Sequence, residues 1–219
     1  MTVISQVRLA PDAATSPRFW RGLGDPYRIH AGIWDLFADG TNRPRDFLYR
    51  ADFDRGRPEV VTVSARSPAD QAGVWEIQTK PYAPRLHEGQ RLLFRVRVNP
   101  VVTKRDAQGK QHRHDVVMDA KSRGAGETTA ELAQREGEAW LAARGPRHGF
   151  APIPGTVVAE QYQPLRFGKP REAGAVTIST LDLQGMLTVT DPAAFAALLV
   201  QGLGPAKGFG CGLMLVRPV

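Results

Sequence analysis

The stretch DPYRIHAGIWDLF, Asp25 to Phe37, decides how the first part of the chain is read. Asp25 is a favoured N-cap, and Pro26 suits the first helical position, where its missing N–H sacrifices no hydrogen bond. Ile29, Ile33, Leu36 and Phe37 recur at helical spacing, so the segment reads as an amphipathic helix with one face on a core, ending at Gly40. Before it, Val3 to Leu9 alternates apolar and polar residues as a strand does. After it, Asp46 to Phe53 and Glu59 to Ala65 do the same. A short helical turn over residues 68–73 and a strand from Val74 to Thr79 complete a β-α-β-β-α-β order, the ferredoxin-like unit.

Residues 81–89 read as a linker. Beyond it, QRLLFRVRVN (Gln90 to Asn99) alternates cleanly, with Leu92, Phe94, Val96 and Val98 on one face and Leu93, Arg95, Arg97 and Asn99 on the other. Lys104 to Gly126 is polar and lacks a period, so it reads as a long irregular loop. Thr128 or Thr129 caps a helix running through Ala143, with Leu132, Ala139 and Trp140 on its apolar side. Ile153 to Arg166 and Ala175 to Thr190 read as strands. Asp191-Pro192 opens a second helix as N-cap and first position, to about Gln201, and Leu213 to Val216 closes the order as a strand. The expected fold class is α+β: two tandem ferredoxin-like (RRM-like) βαββαβ domains, residues 1–80 and 90–219, joined by the linker 81–89.

Charge narrows the function. Lys and Arg number 29 against 22 Asp and Glu, a formal net of +7. Arginine supplies most of the excess, and its planar fork suits bidentate contact with phosphate, so a polyanion such as nucleic acid is the expected partner. The single cysteine, Cys211, allows no disulfide within the chain, which fits a reducing compartment. No apolar run approaches the roughly 20 residues of a membrane span. The opening MTVISQVRLA becomes charged too early for a secretory core, so a cytoplasmic location is expected.

Three groups of residues carry possible chemistry. Tyr27 and His30 lie three apart at the start of the first helix, on neighbouring positions of its surface and outside the apolar stripe. Histidine titrates near neutrality and can give or take a proton, although a single histidine at a helix start also serves as ordinary surface or as a cap partner. QGLGPAKGFGCGL, Gln201 to Leu213, sets Gly202, Gly204, Gly208, Gly210 and Gly212 around Lys207. Such a loop lets backbone N–H groups approach a phosphate, or simply lets backbone pack closely at a tight connection; it lacks the Gly-Lys-Ser/Thr of a P-loop. The third group is basic: Arg95 and Arg97 on one strand face, Lys104 and Arg105 after it, and Arg166, Lys169 and Arg171 between the two late strands. His112-x-His114-Asp115 has no second ligand cluster, so neither a metal site nor a cofactor is expected. These residues alone leave open a metal-free nuclease, a non-catalytic RNA-binding subunit and an unrelated small-molecule enzyme on the same scaffold.

Five stretches taken together resemble one family. They are YRIHAGIWDLF from Tyr27, RDFLYR from Arg45, LLFRVRVNPVVTK from Leu92, AWL from Ala139 and GLGPAKGFGCGLMLV from Gly202. In order and spacing they are similar to the repeat-specific endoribonucleases of type I-E CRISPR systems, the CasE subunits of Cascade. The resemblance implies two ferredoxin-like domains and metal-independent cleavage of CRISPR precursor RNA at the 3′ base of each repeat hairpin. It also implies retention of the mature crRNA hairpin within Cascade, beside the other subunits. It makes Tyr27 and His30 the catalytic pair and places the loop of Gly204, Lys207, Gly208 and Gly210 near the RNA. Arg95, Arg97, Lys104, Arg105, Arg166, Lys169 and Arg171 become candidates to grip it. A family member carries a basic residue directly after the histidine; here Ala31 stands there, which leaves Arg28 as the phosphate contact of this helix.

Overall fold

The computed structural model describes residues 1–13, 26–38, 44–124, 126–168 and 175–219, without the side chains of residues 26–30, 54, 166–168 and 175–176. The chain divides into two compact units, Met1–Pro84 with Lys207–Gly210, and Arg85–Ala206 with Cys211–Val219. Sequence order alone would leave residues 207–210 with the second part of the chain.

In the first unit β1 (Val3–Leu9) is followed by α1 (Pro26–Asp35), β2 (Phe47–Asp54), β3 (Arg57–Ser64) and β4 (Trp75–Pro81). The strands form one antiparallel sheet in the order β2-β3-β1-β4, the ferredoxin-like arrangement, with β1 between its two partners. Alternation does what the pattern demands: Val7, Val60, Phe47 and Tyr49 face one way and bury against Ile33, Leu36 and Phe37. Phe37 stacks on Phe47 with centroids 4.1 Å apart, and Trp34 meets the same ring edge-on at 5.3 Å. The helix stops at Asp35. Leu36, Phe37 and Ala38 then donate to carbonyls three residues back, a tightened last turn. Gly40, the expected helix end, and the cap Asp25 lie outside the described residues.

The helical turn expected over residues 68–73 does not form. Asp70 takes the backbone N–H groups of Ala72 at 2.9 Å and Trp75 at 2.6 Å, so its carboxylate competes successfully for the donors a helix would need. Ala69 N–H goes instead to Leu36 O at 2.8 Å, tying this stretch to the end of α1's final turn.

The second unit opens with β5 (Arg91–Val98). β6 (Val101–Arg105) and β7 (Gln111–Asp115) then pair as a hairpin, followed by α2 (Val116–Ser122), α3 (Thr129–Ala142) and α4 (Gly145–His148). β8 (Phe150–Pro152), β9 (Val158–Gly168), β10 (Ala175–Val189), α5 (Pro192–Gln201) and β11 (Met214–Pro218) complete it. The sheet order is β11-β5-β10, with β8 and β9 both on the far edge of β10, so the ferredoxin-like order recurs. The core lies between this sheet and α3 and α5, where Leu132, Leu141, Leu183, Phe195 and Leu199 are buried. Thr128 and Glu131 close a capping box on α3, and Asp191 caps α5 through the N–H groups of Ala193 and Ala194 at 2.9 and 3.0 Å.

Here too the structure corrects the sequence reading. Residues 104–126 are largely ordered: Val101–Arg105 and Gln111–Asp115 form the β6–β7 hairpin, and Asp115 caps α2 through Met118 N–H at 2.8 Å. The hairpin was not legible because most of its residues are polar and exposed, so no alternation marks it. The strand expected over residues 153–166 begins later, as β9 at Val158; residues 153–157 form a turn in which Thr156 Oγ1 donates to Ile153 O at 2.7 Å, between β8 and β9.

One ion pair crosses the sheet between β5 and β10. Arg97 meets Asp182 in a fork at 2.8 and 2.9 Å, with side chains 22% and 9% exposed. Asp182→Ala would leave Arg97 largely desolvated beside a missing partner and is expected to cost about 2–3 kcal/mol, read as a lower urea midpoint with an unchanged slope. Asp191→Ala removes the cap of α5 and is expected to cost about 1 kcal/mol in the same experiment.

Candidate functional site

The proposed catalytic helix follows directly from the first unit's core. Ile33, Leu36 and Phe37 hold the C-terminal end of α1 and its final turn against β1, β2 and β3, which sets the helix axis and leaves its first turn to present other residues. Tyr27, Arg28 and His30 occupy that first part of the helix backbone; their side chains lie outside the described residues.

The Gly-rich segment has a different support at each stage. In the second unit α5 ends at Gly202, whose N–H reaches Leu198 O at 2.7 Å. Leu203 N–H then donates to Gly212 O at 2.9 Å, and Gly212 N–H to Arg97 O at 2.7 Å, so the two ends of the loop are tied together and to β5. Gly204, at φ +73°, lies where an added Cβ would come 3.1 Å from the indole of Trp140. That indole is itself fixed by its N–H to Val101 O at 3.0 Å and by Arg144 stacked on its face at 3.5 Å. Burial pushes the Arg144 guanidinium down to about 10.

In the first unit Lys207–Phe209 forms a 3-10 turn that packs against β2. Tyr49 O–H donates to Gly208 O at 3.1 Å, and its ring lies 3.1 Å from where a Cβ on Gly210 would stand. Lys207 is partly buried, and its ammonium is pushed below the ordinary lysine value by desolvation first and by neighbouring Arg45 second. Arg45 is also held below its ordinary value by burial, and its Nη1 donates to Phe47 O. Of the two uses expected for the glycines, close backbone packing accounts for Gly204 and Gly210.

The basic residues of the second unit are not equivalent. Arg95 is exposed on β5, opposite Gln184 on β10 and Leu215 on β11. Arg97 shares that face but its fork is on Asp182. Lys104 reaches both oxygens of Asp119 at 2.6 and 2.7 Å, and that hydrogen bond is the main reason the Asp119 carboxyl lies below its ordinary value. Arg105 is exposed at the end of β6. Arg166 is on β9 opposite Thr177, with its side chain outside the described residues; Lys169 and Arg171 lie outside them altogether. In the hairpin His112 pairs with Asp106 at 2.8 Å, and among the described residues no three His, Cys, Asp or Glu are grouped to hold a metal.

Sequence reading passed over Arg45 and Tyr49. Both sit in RDFLYR, yet their alternation marks only a strand; nothing local shows that a turn 159 positions away rests on the tyrosine.

Comparison with known proteins spans nearly the whole chain. The model of a family described as CRISPR associated protein matches residues 3–218. The chain is similar to the CRISPR system Cascade subunit CasE of Escherichia coli (strain K12), 32% identical over 198 residues, which cover 89% of this chain and 93% of that protein. It is similar to the CRISPR-associated endoribonuclease Cse3 of Thermus thermophilus, 30% identical over 213 residues, 90% of this chain and 92% of that one. The solved structure of Thermus thermophilus Cse3 bound to an RNA representing a pre-cleavage complex matches with a TM-score of 0.73 at 28% identity, covering 99% of each chain. Because the similarity takes in both sheets, the helix after β1 and the Gly-rich segment before β11, and is not confined to one motif, the chain belongs to the CRISPR associated protein family.

Proposed function

We propose that the protein is an endoribonuclease that cuts CRISPR precursor RNA at the 3′ base of the repeat hairpin and keeps the mature crRNA as a subunit of Cascade. The observation that carries this reading is near full-length similarity to an endoribonuclease whose solved structure holds a pre-cleavage RNA, in a chain that sets Tyr27 and His30 on the helix following β1. A protein that works on a cellular transcript belongs in the cytoplasm, and among the described residues no helix is long and apolar enough to cross a membrane.

RNA supplies its own nucleophile, so the chemistry asks little of the protein. The 2′-hydroxyl attacks the adjacent phosphorus, the 5′-oxygen of the next nucleotide leaves, and the products are a 2′,3′-cyclic phosphate and a 5′-hydroxyl. Holding the 2′-oxygen, phosphorus and leaving oxygen in line is worth up to about 7–11 kcal/mol. Proton transfer by one positioned imidazole adds roughly 10²–10⁴-fold. In this reading His30 moves the proton and Tyr27 orients the 2′-hydroxyl or donates to the phosphorane oxygens, with no metal required. Arg28, Arg95, Arg105, Arg166, Lys169, Arg171 and Lys207 hold the stem through its phosphates, since an A-form helix offers shape and backbone more readily than base edges. Arg97 and Lys104 contribute less directly, because each already has a carboxylate partner.

The test is cleavage of a labelled repeat hairpin in excess EDTA under single-turnover conditions. The wild type is expected to cut once, at the base of the stem. His30→Ala is expected to bind with similar affinity and to cut about 10²–10⁴-fold more slowly. A wild type that binds the hairpin tightly and never cuts would make the protein a non-catalytic RNA-hairpin-binding subunit; cutting that disappears with EDTA would end the metal-free mechanism.

A further inference from the structure

Most cations with a described partner in this protein are matched to an acid. Arg50 is 1% exposed and forks onto Asp52 at 2.8 and 3.0 Å. Arg66 forks onto Asp46 at 2.7 and 3.1 Å, and Arg97 and Lys104 are paired as above. Arg45 and Lys207 break this pattern. Arg45 stands two residues before β2 and Lys207 opens the turn packed on β2; both are partly buried, the charge of Arg45 is felt at Lys207, and among the described residues neither is paired with a carboxylate. Asp46, the acid next to Arg45 in the chain, is engaged by Arg66.

Two like charges that are brought together and partly stripped of water cost free energy unless an anion joins them. The first unit builds this placement from ordinary parts. Phe47 and Tyr49 fall on one face of β2 by strand alternation, and Arg45 stands two residues before Phe47. Phe47 O accepts one N–H of the Arg45 fork, which aims the guanidinium and leaves other donors of the fork available for a ligand. Tyr49 O–H holds Gly208 O, and so holds the turn that begins with Lys207.

We propose that Arg45 and Lys207 together form a seat for one phosphate group of the bound RNA, with Tyr49 as the positioning residue that keeps Lys207 in place. The proposal rests on the RNA reading above. It adds a defined two-cation site, and one member, Arg45, comes from the segment just before β2 and not from the Gly-rich segment. A guanidinium fork and an ammonium divide the work well: the first takes two oxygens of the phosphate in a plane, the second neutralises the remaining charge as a point.

The test is hairpin binding by fluorescence anisotropy across a salt series. It uses a hairpin with a 2′-deoxy residue at the cut site, so that binding is read without cleavage. Arg45→Gln keeps a donor for Phe47 O and removes the charge. It and Lys207→Ala are each expected to weaken binding roughly tenfold and to reduce the slope of log K against log salt by about one. The double variant is expected to lose clearly less than the product of the two single losses, because both cations serve one phosphate. Tyr49→Phe keeps the ring and removes the hydroxyl. It is expected to weaken binding in the wild type and to have no further effect once Lys207 is alanine. An unchanged salt slope in Arg45→Gln overturns the seat, as do two single losses that multiply in full. Cleavage of the all-ribose hairpin is scored separately. A wild type that binds with the expected slopes yet never cuts overturns the nuclease reading and supports the seat; a wild type that binds no hairpin overturns both.

Discussion

Tyr49 is the side chain on which the first unit's functional geometry depends. Its ring is part of the core formed by Ile33, Leu36, Phe37, Phe47, Val7 and Val60, and it is 3% exposed. Its hydroxyl reaches Gly208 O, and its edge closes against Gly210. One residue therefore serves both the packing that orients α1 and the turn that carries Lys207. A buried phenol needs a partner for its O–H, and here the partner is a backbone carbonyl of the Gly-rich segment. The glycine at 210 follows from the same contact, since a Cβ would meet the ring at 3.1 Å with the backbone already at φ +79°.

The second unit handles the other end of that segment by a backbone device. Leu203 and Gly212 are bonded to each other, and Gly212 to Arg97 O, so the loop leaves and re-enters at a fixed neck. Trp140 closes on Gly204 and is held by Val101 O and Arg144. These contacts use few charged groups in direct pairing. They are mostly backbone bonds and aromatic packing, which do not weaken as salt rises and so can persist under conditions that weaken a phosphate contact.

Net charge turned out to be a coarse guide. The excess of Lys and Arg agrees with the proposed RNA partner, yet several of the arginines and lysines work inside the fold. Arg50, Arg66, Arg97 and Lys104 stabilise the structure through Asp52, Asp46, Asp182 and Asp119. What matters for binding phosphate is the cation that the fold leaves without a carboxylate, and that is a property of pairs. Arg97 and Asp182 stand 85 positions apart, too far for any local pattern to join them.

Local chemistry was enough for most elements. Val3–Leu9 was readable from alternation, α5 from Asp191-Pro192, and α3 from a threonine cap at Thr128 or Thr129 followed by an apolar stripe, because periodicity and caps are set by near neighbours. The same near-neighbour logic found the main strands of both units and placed Tyr27 and His30 on one helix. It failed where local signals compete or vanish: Asp70 took the donors of the expected helical turn, and the β6–β7 hairpin is polar on both faces. The tertiary structure alone decided which cations are neutralised, which glycines are held against rings, and that Tyr49 supports a turn 159 residues later. Those outcomes depend on side chains that meet only after the strands pair, and pairing in register is a property of the whole sheet.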